Sequence, residues 1–254
     1  MLLSEPPPSP YDLHFRLSGI PIRVHPMFWV ITIVLGVGSG GVPPAQLLAW
    51  IVVVFLSVVV HELGHAFTQR HYGGRPWITL YGLGGMSACD DCDRRPLSQI
   101  LISLAGPAAG FALAGVCFAL VRLSGRQIGW AEIDELNITA VTLPLLGKLL
   151  YIEPLPSEFG NTLILQMLWV NIAWGLVNLL PIYPLDGGRI AREALTLRQP
   201  RRGIVLSLQL SMATAIAMGL FGMFAWRSLF TAVMFGYLAY SNYQTLQAYR
   251  SNRW

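Results

Sequence analysis

The chain has 254 residues, 54% of them hydrophobic and only 12% charged, with a mean hydropathy of +0.54 and a formal net charge of +4. An ordinary soluble domain is about 25% charged; thirteen acids and seventeen bases cannot coat a soluble protein of this length, so the composition points to lipid. Three cysteines, 25 glycines without a period and eight tryptophans exclude a disulfide scaffold, collagen and intrinsic disorder.

The residues before the first apolar run are mixed and include Pro6, Pro7 and Pro8. No cleavable leader is expected there, and the first apolar run serves as the insertion signal. Within this segment, 13–24 alternates apolar and polar residues, which predicts a short strand. Crossing the hydrocarbon layer takes about 20 apolar residues in a helix. Six stretches approach that requirement: 26–42, 45–70, 98–121, 162–182, 204–221 and 226–240. The first is short and glycine-rich at its end, with Gly36, Gly38, Gly40 and Gly41. Between the second and third, 77–87 reads WITLYGLGGMS. Its β-branched, aromatic and glycine residues predict short strands or a re-entrant loop at membrane depth, covered by protein or a water-filled cavity. Between the third and fourth, 136–150 is apolar but broken at Pro144, and is expected at the outer interface. The expected fold is an all-α polytopic membrane protein of about six transmembrane helices, with a small membrane-associated β element around 13–24 and 77–87. Without repeats or a long polar segment, residues 1–254 read as a single domain.

The bases are almost all arginines, with Lys148 the only lysine. Arg16 and Arg23 precede the first stretch, and Arg70, Arg75, Arg94 and Arg95 separate the second from the third. Arg189, Arg192, Arg198, Arg201 and Arg202 separate the fourth from the fifth, and Arg250 and Arg253 follow the last. With six spans these groups share one side, while the opposite loop 123–161 carries Glu132, Asp134, Glu135, Glu153 and Glu158. The positive-inside rule then puts both termini in the cytoplasm. The basic charge is a topology signal, and no nucleic-acid partner is expected. Cys89-Asp90-Asp91-Cys92 falls on the cytoplasmic side, which argues against a stable disulfide. A second metal site there would need more ligands; His71 is near in sequence, and Cys117 lies within a span. Trp50, Trp130 and Trp226, near span ends, read as interfacial anchors.

Ionisable groups are almost absent from the spans, except His61-Glu62-Leu63-Gly64-His65 near the end of the second. An ionisable residue in the bilayer costs a few kcal/mol on the lenient insertion scale, about 3 for an acid at the centre. Three together need a function. His61 and His65 are four apart, so one helical turn stacks both imidazoles on one face. Two such nitrogens ligate one zinc, and Glu62 is placed to work on a zinc-bound water. A catalytic site wants a third protein ligand at the same depth. Asp186 is the candidate, in the segment Asn178-Leu-Leu-Pro181-Ile-Tyr-Pro184-Leu-Asp186-Gly187-Gly188. It follows the fourth span on the cytoplasmic side, the side on which His61 and His65 also lie. Pro181 and Pro184 break the helix there, and Gly187-Gly188 is expected to form a tight turn presenting the carboxylate.

HELGH in one span and NLLPIYPLDGG at the end of a later one resemble the site-2 protease family of intramembrane zinc metalloproteases. GIPIRVHPMFW at 19–29 and AGPAAG at 105–110 are similar to that family's entry segment and following span. The resemblance implies one zinc per chain held by His61, His65 and Asp186, with Glu62 as general base. It also implies that Asn178 positions the substrate or stabilises the oxyanion. One departure is Gly110, where AGPxxN is common in the family. The resemblance covers a core of about 19–190 without PDZ or CBS modules, followed by added spans at about 204–243. It implies an endopeptidase that cuts a membrane-spanning protein substrate, in the inner membrane of a bacterium. The main alternative is a catalytically silent membrane protein of the same fold that binds partner helices. The complete set of His61, Glu62, His65 and Asp186 argues against it. A metal transporter would need polar residues along a path across the bilayer, and the outer halves of the spans offer almost none.

Overall fold

The structure is a computed structural model that describes residues 5–38, 42–82, 84–131, 141–145 and 148–251, with the backbone alone for 130–131, 141–145 and 148–150. In chain order it contains β1 (Leu13–Leu17), β2 (Ile20–Val24), α1 (Pro26–Val37), α2 (Pro44–His71), β3 (Pro76–Tyr81), β4 (Gly84–Cys89) and α3 (Pro96–Leu123). Then follow β5 (Ile128–Ala131), β6 (Val141–Leu145), β7 (Lys148–Ile152), α4 (Glu158–Trp169), a π-helical turn (Val170–Trp174) and α5 (Gly175–Asn178). The chain continues through α6 (Asp186–Arg198), α7 (Gly203–Phe224) and α8 (Leu229–Ser251).

Among the described residues, four helical stretches are long and apolar enough to cross a membrane: Pro44–His71, Pro96–Leu123, Glu158–Asn178 and Gly203–Phe224. The six stretches read from the sequence therefore do not all become helices of that kind. The first yields α1, whose 12 residues rise about 18 Å, short of a hydrocarbon core of about 30 Å; residues 39–41 of that stretch lie outside the described residues. The last yields α8, which is long enough at 23 residues. Its second half, however, carries Asn242, Gln244, Gln247 and Arg250, so the apolar part is only about half the helix.

The helices share the molecule with two sheets, the first in the segments where the small β element is expected and the second outside them. The first sheet has the order β1-β2-β3-β4. β1 and β2 are an antiparallel hairpin, β2 and β3 run parallel with Ile22 opposite Ile78, and β3 and β4 are antiparallel with Ile78 opposite Ser87. The parallel step is what the intervening α1 and α2 make possible. Alternation gives the sheet two faces. Ile20, Ile22, Val24, Ile78 and Leu80 are buried against Phe28, Val58, Val59 and Ala66 of α1 and α2. The opposite face is strapped by residues 5–12: Arg23 pairs with Glu5 at 2.8 Å and Asp12 at 3.0 Å, and Thr79 donates to Glu5 at 2.7 Å. The second sheet, order β5-β7-β6, takes in the described parts of 136–150, a stretch expected only to lie along the interface. Pro144 sits on its edge strand β6, where a missing N–H is tolerated. Residues 132–140 and 146–147 of that loop lie outside the described residues.

Cys89 and Cys92 form a disulfide with a Cα–Cα distance of 5.6 Å, contrary to the expectation from compartment. Compartment says nothing of proximity, and the chain leaving β4 bends so that two residues three apart fall within bridging range.

Candidate metal centre

α2 positions two ligand candidates and the candidate base. Its HExxH residues are buried, with His61 at 8%, Glu62 at 5% and His65 at 6% exposure. α3 crosses α2 closely here, because Gly64 lies against the Ala105 carbonyl and Gly106 lies over both imidazoles. His65 Nδ1 stands 2.7 Å from the Ile102 carbonyl oxygen of α3. That oxygen accepts a hydrogen bond from Nδ1–H and fixes the ring, leaving Nε2 to face the site.

Asp186 arrives from a different part of the chain, as the first residue of α6. The expectation that Gly187 and Gly188 form a tight turn needs correction. Both lie inside the first turn of α6, and their missing side chains let the helix abut backbone. A Cβ on Gly187 would strike the Leu179 carbonyl, and one on Gly188 would strike Tyr183 N. The glycines thus press the first turn of α6 against the segment joining it to α5, a close approach rather than a turn. Within that segment the Tyr183–Pro184 peptide is cis.

The three ligand candidates converge, each imidazole facing a different oxygen of the Asp186 carboxylate. His61 Nε2 is 3.2 Å from His65 Nε2 and 3.2 Å from Asp186 Oδ2, and His65 Nε2 is 3.3 Å from Asp186 Oδ1. Donors at the corners of a tetrahedron with zinc bonds of about 2.0–2.2 Å stand roughly 3.3–3.5 Å apart. One ligand atom from each of the three residues lies within 4.8 Å of the others, close enough to share one ion, and the donor set of two nitrogens and one carboxylate is a catalytic zinc set. Burial alone would push the Asp186 carboxyl up, but the two imidazoles outweigh it and hold the carboxyl below its usual range.

Glu62 neighbours this cluster on α2. Its carboxylate makes no hydrogen bond or ion pair with a described residue, and Gly85 of β4 passes directly over it; a Cβ there would stand 2.5 Å from Glu62 Cγ and 2.8 Å from Cδ. Asn178 is buried at the end of α5, and among the described residues it makes no hydrogen bond to His61, Glu62, His65 or Asp186. The structure thus brings the three ligand candidates together beside Glu62, the candidate base. Gly110 faces Asn171 of the π-helical turn, with its missing Cβ 3.4 Å from Asn171 Oδ1. Asn171 Nδ2 donates to Ser57 Oγ of α2 at 2.9 Å, one turn before His61. Neither Asn171 nor Ser57 was marked by any motif or spacing.

Residues 49–220 match the family model described as Peptidase family M50. A zinc metalloprotease of Methanocaldococcus jannaschii is 27% identical over 214 residues, covering 82% of this chain and 53% of that protein. Stage IV sporulation protein FB of Bacillus subtilis is 26% identical over 227 residues, covering 88% of this chain and 65% of that protein. The chain spans about half to two thirds of the length of these relatives. The solved structure of a site-2 protease from Methanocaldococcus jannaschii aligns with a TM-score of 0.55 at 23% identity, covering 93% of this chain and 95% of that one, which shows a shared fold.

Proposed function

Because the chain belongs to peptidase family M50, we propose that it is an intramembrane zinc endopeptidase that cuts a peptide bond in or near the transmembrane segment of a membrane-held protein. The observation that carries this reading is the buried cluster of His61, His65 and Asp186 with the unpartnered Glu62 carboxylate beside it.

His61, His65 and Asp186 would hold one zinc ion. When bound, zinc makes its water acidic near neutral pH and polarises the scissile carbonyl. Glu62 takes the proton of the attacking water and delivers it to the leaving amine, the role of a general base turned general acid. His65 is held in its ligating orientation by the Ile102 carbonyl. Asn178, eight residues before Asp186, positions substrate or stabilises the oxyanion. A helical substrate shields its own carbonyls and must be drawn out into an extended chain. β4 is an edge strand of its sheet and runs over Glu62 at Gly85. Strand addition along β4 delivers the scissile bond to the base.

The protein is integral to the inner membrane of a bacterium. The arginine distribution, read with six spans, keeps both termini cytoplasmic. Residues 1–254 act as one unit, with the catalytic core at about 19–190. The test is Glu62→Ala in the full chain: metal content stays at the wild-type level and proteolysis of a membrane-spanning substrate is lost. Substantial residual cleavage in that variant would show that Glu62 is not the base.

A further inference from the structure

We infer that Ser211 of α7 and Asn242 of α8 are positioning residues for the metal ligand Asp186, an inference that rests on the zinc reading above. The backbone of Tyr183, three residues before Asp186, is held at both ends. Its N–H donates to Ser211 Oγ at 3.0 Å, and its carbonyl accepts from Asn242 Nδ2 at 2.6 Å. Ser211 is 0% exposed and Asn242 1%. The neighbouring Ile182 is fully buried among Ala215, Phe235, Leu238 and Ala239 of the same two helices. Two helices that supply no ligand therefore clamp the segment that delivers one.

The clamp reaches Asp186 through backbone contact. Gly188 abuts the Tyr183 nitrogen and the Ile182 carbonyl, with no room for a methyl group between them. Any movement of Tyr183 is thus passed to the first turn of α6, where Asp186 sits. A metal site tolerates about 0.2 Å of ligand displacement, so a clamp on Tyr183 acts on affinity.

Asn242 is costly where it stands. It gives one amide proton to Tyr183 and the other to the Leu238 carbonyl of its own helix at 2.8 Å. Its Oδ1 is buried with no hydrogen-bond partner among the described residues. An amide with an orphaned acceptor in apolar packing is unfavourable for stability alone. Its one long-range bond goes to the loop that carries the metal ligand. Asn242 also lies outside the residues matched by the family model, 49–220.

The test measures zinc affinity by chelator competition, and thermal midpoint, on the purified full chain in nanodiscs. Ser211→Ala removes the acceptor alone, and Asn242→Leu removes the amide at similar volume. Asn242→Asp keeps the shape and turns acceptors toward two carbonyls. Groups that orient ligands from outside the coordination sphere are worth about 10- to 100-fold in affinity. Ser211→Ala and Asn242→Leu should each weaken zinc binding by about 10-fold or more, and Asn242→Asp by more than Asn242→Leu. Leu168→Ala, in a separate apolar cluster with Ala114, Val121 and Ile152, should lower the thermal midpoint and leave zinc affinity unchanged. Ser211→Ala with wild-type zinc affinity overturns the inference, even if Asn242→Leu fails to fold. Equal loss of affinity in Leu168→Ala also overturns it, since the effect is then general destabilisation. A wild-type chain that binds no zinc overturns the site reading itself, an outcome distinct from the other two.

Discussion

Gly106→Ala tests whether the site binds metal, because the nearest neighbours of the added methyl group are the two imidazoles. A Cβ at Gly106 would fall directly against His65 Nε2, 2.5 Å from His65 Cε1 and 2.8 Å from His61 Nε2. Ordinary contact needs about 3.5–4.0 Å, so the rings or the helix must give by about 1 Å, several times the tolerance of a metal site. Two opposing terms decide the sign for the fold. Alanine favours a helix over glycine by about 1 kcal/mol, whereas overpacking a tight contact costs about 1–3 kcal/mol. The net change in stability is therefore small, within about 2 kcal/mol. The loss in zinc affinity is not offset by helix propensity and should be at least 10- to 100-fold, about 1.4–2.7 kcal/mol. The assay is metal content by mass spectrometry with chelator competition, beside helicity and thermal midpoint. A variant that keeps wild-type zinc affinity would refute the reading, because His61 and His65 could not then both point where the structure puts them.

Gly85→Val brings a branched side chain against Glu62 Cγ and Cδ; cleavage should fall at least 100-fold, a loss of about 2.7 kcal/mol, with zinc retained, and loss of zinc instead would mean that β4 bears on the ligands rather than the base. The strap over the sheet should be sensitive to acid. Burial raises the Glu5 and Asp12 carboxyls, but hydrogen bonding and the charge of Arg23 outweigh it and hold both below their usual values. Depressed carboxyl pKa values stabilise above the unfolded values near pH 4 and lose that contribution as pH falls through the lower folded values. Protection factors for hydrogen exchange in residues 5–12 should therefore fall below about pH 4, and Arg23→Ala should lower them already at neutral pH. Thiol titration of the denatured chain should find one free cysteine, Cys117, before reduction and three after; three before reduction would remove the Cys89–Cys92 bond.

The chemistry was legible in the sequence because charge is scarce in lipid. His61, Glu62 and His65 stand out against apolar neighbours, and their spacing is a property of the helix itself. Asp186 was legible by depth: the same sidedness argument that sorted the arginines put it level with the histidines. The strands at Leu13–Leu17, Ile20–Val24, Pro76–Tyr81 and Gly84–Cys89 fall where alternation and β-branched residues occur. Their pairing, with β2 parallel to β3 across two helices, is a long-range fact with no local signature. The count of spans was the weakest inference, because hydropathy averages over a window. It extended α1 beyond the point where the helix ends, and did not weigh the polar half of α8.

The polar pairs between helices were hidden for a more basic reason. Ser57, Asn171, Ser211 and Asn242 are common residue types with no spacing among them, and each acquires meaning only when two helices meet. Interhelical hydrogen bonds in membranes contribute about 0.6 kcal/mol on average, too little to account for burying an amide with an unpaired acceptor at about 1–3 kcal/mol. Stability alone therefore does not explain Asn242. What its bond does supply is position: it ties the Tyr183 carbonyl to α8, as Ser211 ties the Tyr183 N–H to α7. Asn171 does the same for the α2 turn before His61, through Ser57. These ties converge on the two chain segments that carry the ligand candidates, and the proposed zinc site, which would need definition to a few tenths of an ångström, is what calls for such precision.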